Sequence, residues 1–174
     1  TVTQNEFSDV DIGVNVIGNQ GVSDIVDFTI SDNVITNAGA DGIQFLAGDG
    51  IAEIRDITIA DNTIRTINNQ GIELVVDSFD DDGAEDSSIK SVDIRGNTVE
   101  EADVGIEMHS ISGGPIASVD ITHNELRNNR IGVSHNKDTT DNIAVHYNAF
   151  VGNADLAIKH TGNDLLQAQN NWYG

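Results

Sequence analysis

The stretch Asp56-Ile-Thr-Ile-Ala-Asp-Asn-Thr-Ile64, followed by Gly71-Ile-Glu-Leu74, is one copy of a unit written along the whole chain. Its central asparagine recurs as Asn5, Asn33, Asn62, Asn97, Asn124, Asn148 and Asn171, each followed two residues later by Phe7, Ile35, Ile64, Val99, Leu126, Phe150 or Tyr173. The glycine mark recurs as Gly13, Gly42, Gly71, Gly105 and Gly132, with Ala157 in the last copy. Repetition at 20–50 residues is read before any local propensity, because such a unit cannot bury its own apolar face. The asparagines lie 28, 29, 35, 27, 24 and 23 residues apart, while the stretch from Asn to Gly is nearly constant. Length variation therefore falls between each Gly and the next Asn.

Around these marks apolar and polar residues alternate with period two and are rich in β-branched side chains, as in Val26-Asp-Phe-Thr-Ile30, which predicts strands. Three short strands fit each unit: one ending at the Asn, one holding the apolar residue after it, and one beginning at Gly-Ile. Asparagine tolerates the left-handed backbone of a tight corner, and its amide can bond a neighbour's, so coils stacked at about 4.8 Å predict an asparagine ladder. Seven marks imply about six coils, roughly 30 Å of stack.

These Ile-x-x-Asn-x-Ile units, with the Gly-Ile marks after them, resemble the right-handed parallel β-helix of the pectin-lyase-like superfamily, in particular its NosD-like and carbohydrate-processing repeats. The resemblance spans essentially the whole chain. It implies an all-β solenoid, one parallel β-helix domain over residues 1–174. The chain opens within a coil and stops at Asn-Asn-Trp-Tyr-Gly, which leads us to expect a segment of a longer protein or a unit capped by a neighbour. Trp172 is expected to cover the last core layer, with stacking on a sugar ring as the alternative.

The chain carries 29 acidic against 8 basic residues, a net charge of −21. That field repels nucleic acid and anionic membrane surfaces, and no apolar run is long enough to span a bilayer. Cysteine is absent, which excludes disulfides and thiolate metal sites. Salt adaptation and a calcium-collecting surface both account for the acidity.

Alternation assigns side chains to faces. After each Gly mark the first and third residues point inward, and those between form an outward column of Asn15, Gln44, Glu73, Glu107, Ser134 and Lys159. In the enzymes of the resembling superfamily this strand commonly carries the substrate groove. Glu73 and Glu107 are expected about 5 Å apart, suited to sharing a proton, binding calcium, or acting as an acid and nucleophile pair; the alternative is two stacked glutamates on a solvated face. Gln44, His109, Arg130 and Lys159 are the candidate substrate-binding residues, the cations being suited to a uronate. The superfamily's catalytic motifs do not transfer. The only proline, Pro115, has no Asp or His beside it, where alginate epimerases have Asp-Pro-His-Asp. The outward column has glutamates and no arginine, where pectate lyases have aspartates with an arginine base.

The longest variable segment holds Asp77, Asp80, Asp82, Glu85 and Asp86 around Gly83, a candidate calcium loop whose spacing misses the EF-hand pattern; a solvated acidic loop is the other reading. His135 and His160 occupy successive inward positions, either as a packed, hydrogen-bonded pair or as ligands of zinc or copper. Two functions remain open: an extracellular domain that binds or processes polysaccharide through the outward column, by lyase, hydrolase or epimerase chemistry if it is an enzyme, or a structural solenoid of a cell surface, filament or viral appendage whose partners are other subunits.

Overall fold

A computed structural model describes residues 1–18, 24–48, 53–77, 87–112, 114–136, 140–162 and 165–174. The strands form three parallel sheets wound into a right-handed β-helix. The first sheet has seven strands, Val2–Thr3, Ile25–Ser31, Glu53–Ala60, Ser88–Arg95, Ile116–Thr122, Thr140–His146 and Leu166–Gln169. The second also has seven: Glu6–Ser8, Val34–Ala38, Thr63–Ile67, Thr98–Glu100, Glu125–Arg127, Ala149–Val151 and Trp172–Tyr173. Six make the third, Val14–Gly18, Ile43–Gly48, Gln70–Asp77, Val104–Ser112, Ile131–Asn136 and Leu156–His160. No helix among the described residues is long and apolar enough to cross a membrane.

Register follows the repeat. Phe7, Ile35, Ile64, Val99, Leu126, Phe150 and Tyr173 pair in one inward column. Ile30, Ile59, Ile94, Ile121 and Val145 form another. Nearly all are fully buried, and each such side chain contributes about 1.5–3 kcal/mol relative to exposure. Tyr173, not Trp172, continues the core at the C-terminal end, stacking on Phe150 with ring centroids 5.6 Å apart. The single residue of offset matters because alternation puts Trp172 opposite Ala149 on the outward side and Tyr173 on Phe150; at this end of the stack both rings are 58% exposed, and register and stacking, not burial, distinguish them.

The asparagine column is a hydrogen-bonded ladder, as expected. Asn62 donates from its amide to Asn97 Oδ1 at 2.9 Å and to the Ile30 carbonyl at 3.0 Å. Its backbone N–H donates to the same Asn97 oxygen at 2.9 Å, and its own Oδ1 receives the matching pair from Asn33. The left-handed corner, however, sits one residue earlier than expected. Gln4, Asp32, Asp61, Gly96, His123, Tyr147 and Asn170 have positive φ, and none of the seven ladder asparagines does. The turn itself is made by the preceding residue, which leaves each Asn free to aim its amide along the stack.

The glycine marks are sites of close approach. A Cβ on Gly71 would lie 2.2 Å from Val99 Cγ1 and 2.7 Å from the Gly105 carbonyl oxygen, and each mark meets the next in the same way through Gly132, which faces the Ala157 carbonyl. Ala157 stands in the last described strand of that sheet.

Replacing Asn97 with alanine removes the shared acceptor of the buried Asn62 N–H and side-chain amide and takes the amide donor from the Ile59 carbonyl, while the Arg95 carbonyl keeps the Asp61 N–H. At about 1–3 kcal/mol per unsatisfied group, we expect a loss of about 3–5 kcal/mol in denaturant unfolding at fixed salt. Gly71→Ala should cost about 1–3 kcal/mol by overpacking. A change below 1 kcal/mol at Asn97, by the same rule for unsatisfied groups, would show that the ladder does not hold the coils.

Candidate functional site

The outward column of the third sheet is built as the alternation predicts. Asn15 pairs with Gln44, Gln44 with Glu73, Glu73 with Glu107, Glu107 with Ser134 and Ser134 with Lys159. The next outward position holds Leu46, Val75, His109 and Asn136. Extended strands in parallel register thus set Glu73, Glu107 and His109 side by side.

The expected solvated face is not what the middle of this column shows. Asn15 and Lys159, at its two ends, are exposed, but Glu73 is only 7% exposed although it points away from the core. Ser134 is also buried. The side chains of Glu107 and His109 retain 16% and 21% of their accessibility. Charge at this position is therefore poorly hydrated, and its hydrogen bonds matter more than they would on an open surface.

Two glutamines supply those bonds. Gln44 Nε2 donates to Glu73 Oε2 at 2.6 Å and to Asp41 Oδ2 at 3.2 Å. Gln70 Nε2 donates to Glu107 Oε2 at 2.6 Å, and its backbone N–H donates to Asp41 Oδ1 at 3.1 Å. His109 stands between the carboxylates, with Nε2 3.9 Å from Glu73 Oε1 and Nδ1 3.9 Å from Glu107 Oε2. One ligand atom from each of Glu73, Glu107 and His109 can be chosen so that all lie within 4.8 Å of one another.

Burial pushes the Glu73 carboxyl above its usual range; Asp41 and Glu107 push the same way, against the Gln44 hydrogen bond and His109. Asp41 is raised chiefly by burial as well, and the Gln70 N–H opposes it. A carboxyl that keeps its proton above the ordinary range, next to a second carboxylate and an imidazole, suits proton transfer; the same three groups form a donor set for a divalent cation.

Sequence reasoning placed Gln44, Glu73, Glu107 and His109 together but missed Asp41 and Gln70. Their signal lies in the position before each Gly mark, which is apolar at Ile12, Val104, Ile131 and Leu156 and polar only at Asp41 and Gln70. Arg130 is engaged elsewhere, donating to Asp103 through Nε at 2.5 Å and Nη2 at 2.8 Å and to Asp155 at 3.1 Å. That pairing holds Asp103 below its usual range and raises Arg130 further. Lys159 lies two strands beyond Glu107 in the column.

Of the calcium-loop candidates, Asp77 is buried at the end of its strand, while Asp80, Asp82, Glu85 and Asp86 lie outside the described residues. The inward His135 and His160 rings stack with centroids 4.9 Å apart, and their Nδ1 atoms are 2.8 Å apart. One ring must donate and the other accept, so the packed pair is the reading this geometry favours over an ion between those two nitrogens. No protein-family model, curated protein or solved structure matches the chain.

Because the folded chain holds the Glu73 proton more tightly than the unfolded chain does, this carboxylate weakens the fold at neutral pH and stops doing so as pH falls through its raised value. Glu73→Gln should therefore raise the thermal midpoint at pH 7. The two midpoints should converge as pH approaches 4.5, the ordinary value for the group. A difference independent of pH would contradict the assignment of burial as the cause.

Proposed function

We propose that this chain binds a polysaccharide along the outward face of the third sheet and acts on it at the Glu73–Glu107–His109 cluster. The observation that carries this reading is a screened, amide-buttressed carboxylate pair at the centre of a polar column. Asn15, Gln44, Ser134 and Lys159 extend that column to either side at strand spacing, about 4.8 Å per step. The accessible amides of Asn15 and Gln44 and the ammonium of Lys159 match the repeating hydroxyls of a glycan, with the buried Ser134 spacing the column. The resemblance to the pectin-lyase-like superfamily, in which this strand commonly carries the groove, supports the same placement and an extracellular or cell-surface setting.

The electrostatics narrow the substrate. With Arg130 committed to Asp103 and Asp155, the cluster has no arginine beside it among the described residues, so a neutral or amino-bearing glycan fits the metal-free site better than a uronate does. Hydrolysis and elimination both need one proton removed and another delivered, and the raised carboxyl of Glu73 is suited to part of that exchange.

A structural solenoid is the second reading, favoured by the exposed Leu165, Trp172 and Tyr173 near the C-terminal end. One experiment separates the two. Chelator-treated protein is assayed for binding and turnover on a panel of neutral, amino and uronic glycans, with light scattering in parallel. We expect selective binding, weakened by Gln44→Ala, and turnover reduced about 10²–10⁴-fold in the Glu73→Gln, Glu107→Gln double variant. Absence of binding together with end-to-end assembly would favour the solenoid.

A further inference from the structure

The three-residue cluster has an arrangement that proton sharing leaves unexplained. His109 makes no hydrogen bond among the described residues, although each of its ring nitrogens faces a carboxylate oxygen at 3.9 Å. Glu73 Oε1 likewise has no hydrogen-bond donor among the described residues, on a side chain only 9% exposed. These separations are too long for hydrogen bonds, and they involve opposite ring nitrogens, so an ion would use only one of them. With one atom chosen from each residue, all three donors lie within 4.8 Å of one another, and ligand bonds of about 2.0–2.2 Å in tetrahedral geometry, which put neighbouring ligand atoms a little over 3 Å apart, need the side chains to close by only about 1 Å.

We infer that Glu73, Glu107 and one nitrogen of His109 form a binding site for a first-row divalent cation of the zinc type. The donor set selects the metal class. An imidazole with two carboxylates suits zinc and its neighbours, whereas calcium takes six to eight oxygens and gains nothing from a ring nitrogen. Three protein ligands leave one position of a tetrahedral ion open for water or a sugar oxygen.

The surroundings have the form expected of an outer shell. Gln44 and Gln70 each donate at 2.6 Å to a different ligating carboxylate, and Asp41 fixes both glutamines, accepting from the Gln44 amide and from the Gln70 backbone. Such contacts orient ligands before the ion arrives. The cation would also relieve the crowding of negative charge at Asp41, Glu73 and Glu107. It would convert a centre that repels uronates into one that holds a sugar carboxylate; this last step rests on the glycan reading above, while the ion site itself stands on the donor geometry.

The test is calorimetric titration of chelator-treated full chain with zinc chloride, followed by cobalt substitution and visible spectroscopy. We expect one ion per chain, a cobalt spectrum of low coordination number, and no competition from millimolar calcium or magnesium. His109→Ala and Glu73→Gln should each weaken zinc at least tenfold, and Gln70→Leu should weaken it by about 10–100-fold through the outer shell. Circular dichroism confirms that each variant is folded, and His160→Ala, which alters the other histidine pair, should bind as the parent does. Retention of zinc by His109→Ala with loss in His160→Ala would overturn the assignment, as would preference for calcium or no saturable binding. If zinc binds as expected but no glycan is bound with or without it, the glycan reading fails and the ion site stands. If glycans bind the chelated chain and zinc does not, the reverse holds.

Discussion

The asparagine ladder is the constraint on which the rest of this molecule depends. Each of the inner rungs Asn33, Asn62, Asn97, Asn124 and Asn148 sits at a buried corner, and a rung such as Asn62 satisfies a backbone carbonyl and meets the amide oxygen of the next rung through its own N–H groups. Without it every turn would leave stranded polar groups at a cost of about 1–3 kcal/mol each. The ladder also offsets the left-handed backbone at the residue before it, a conformation that Asp32, Asp61 and Tyr147 adopt despite their Cβ. Because the ladder runs vertically, it fixes coil-on-coil register, and register decides which side chains share a column.

Register makes the candidate site possible. Glu73 and Glu107 are 34 residues apart in the chain and meet only because Gly71 and Gly105 are held in one column by close backbone approach. In sequence, the longest variable segment lies between the glycine of one coil and the asparagine of the next, directly after the strand that carries Glu73. Length can thus vary on this side of the coil without disturbing the ladder. The constant corner and the variable side divide the work between holding the fold and shaping a surface.

Much of this was legible in the sequence. Period-two alternation gave the inward and outward columns, and the Asn and Gly marks gave their vertical order; Gln44, Glu73, Glu107 and Lys159 fell where alternation put them. The errors came from properties that a period does not encode. The left-handed residue precedes the Asn because the amide, not the turn, is the repeated function. Trp172 looked like a cap by size, but parity placed it outward and gave the role to Tyr173. Screening of Glu73 was not legible either, since alternation states direction and not how much solvent reaches a side chain. Asp41 and Gln70 were readable in retrospect as the only polar residues in an otherwise apolar position before the glycines.

The distribution of positive charge gives the cluster its meaning. All five arginines, whose own side chains keep a third or more of their exposure, make ion pairs, at Glu53 and Asp56, Glu100, Asp93, Glu125, Asp103 and Asp155. Such surface pairs contribute little to stability, typically about 0–1 kcal/mol. The chain leaves Glu73 and Glu107 with an imidazole and two neutral amides. Amides orient carboxylates without neutralising them, so negative charge stays available at the centre of the polar column. A cation arriving from outside, whether a proton, a metal ion or the cationic part of a ligand, would meet negative charge there that no arginine of the chain pairs.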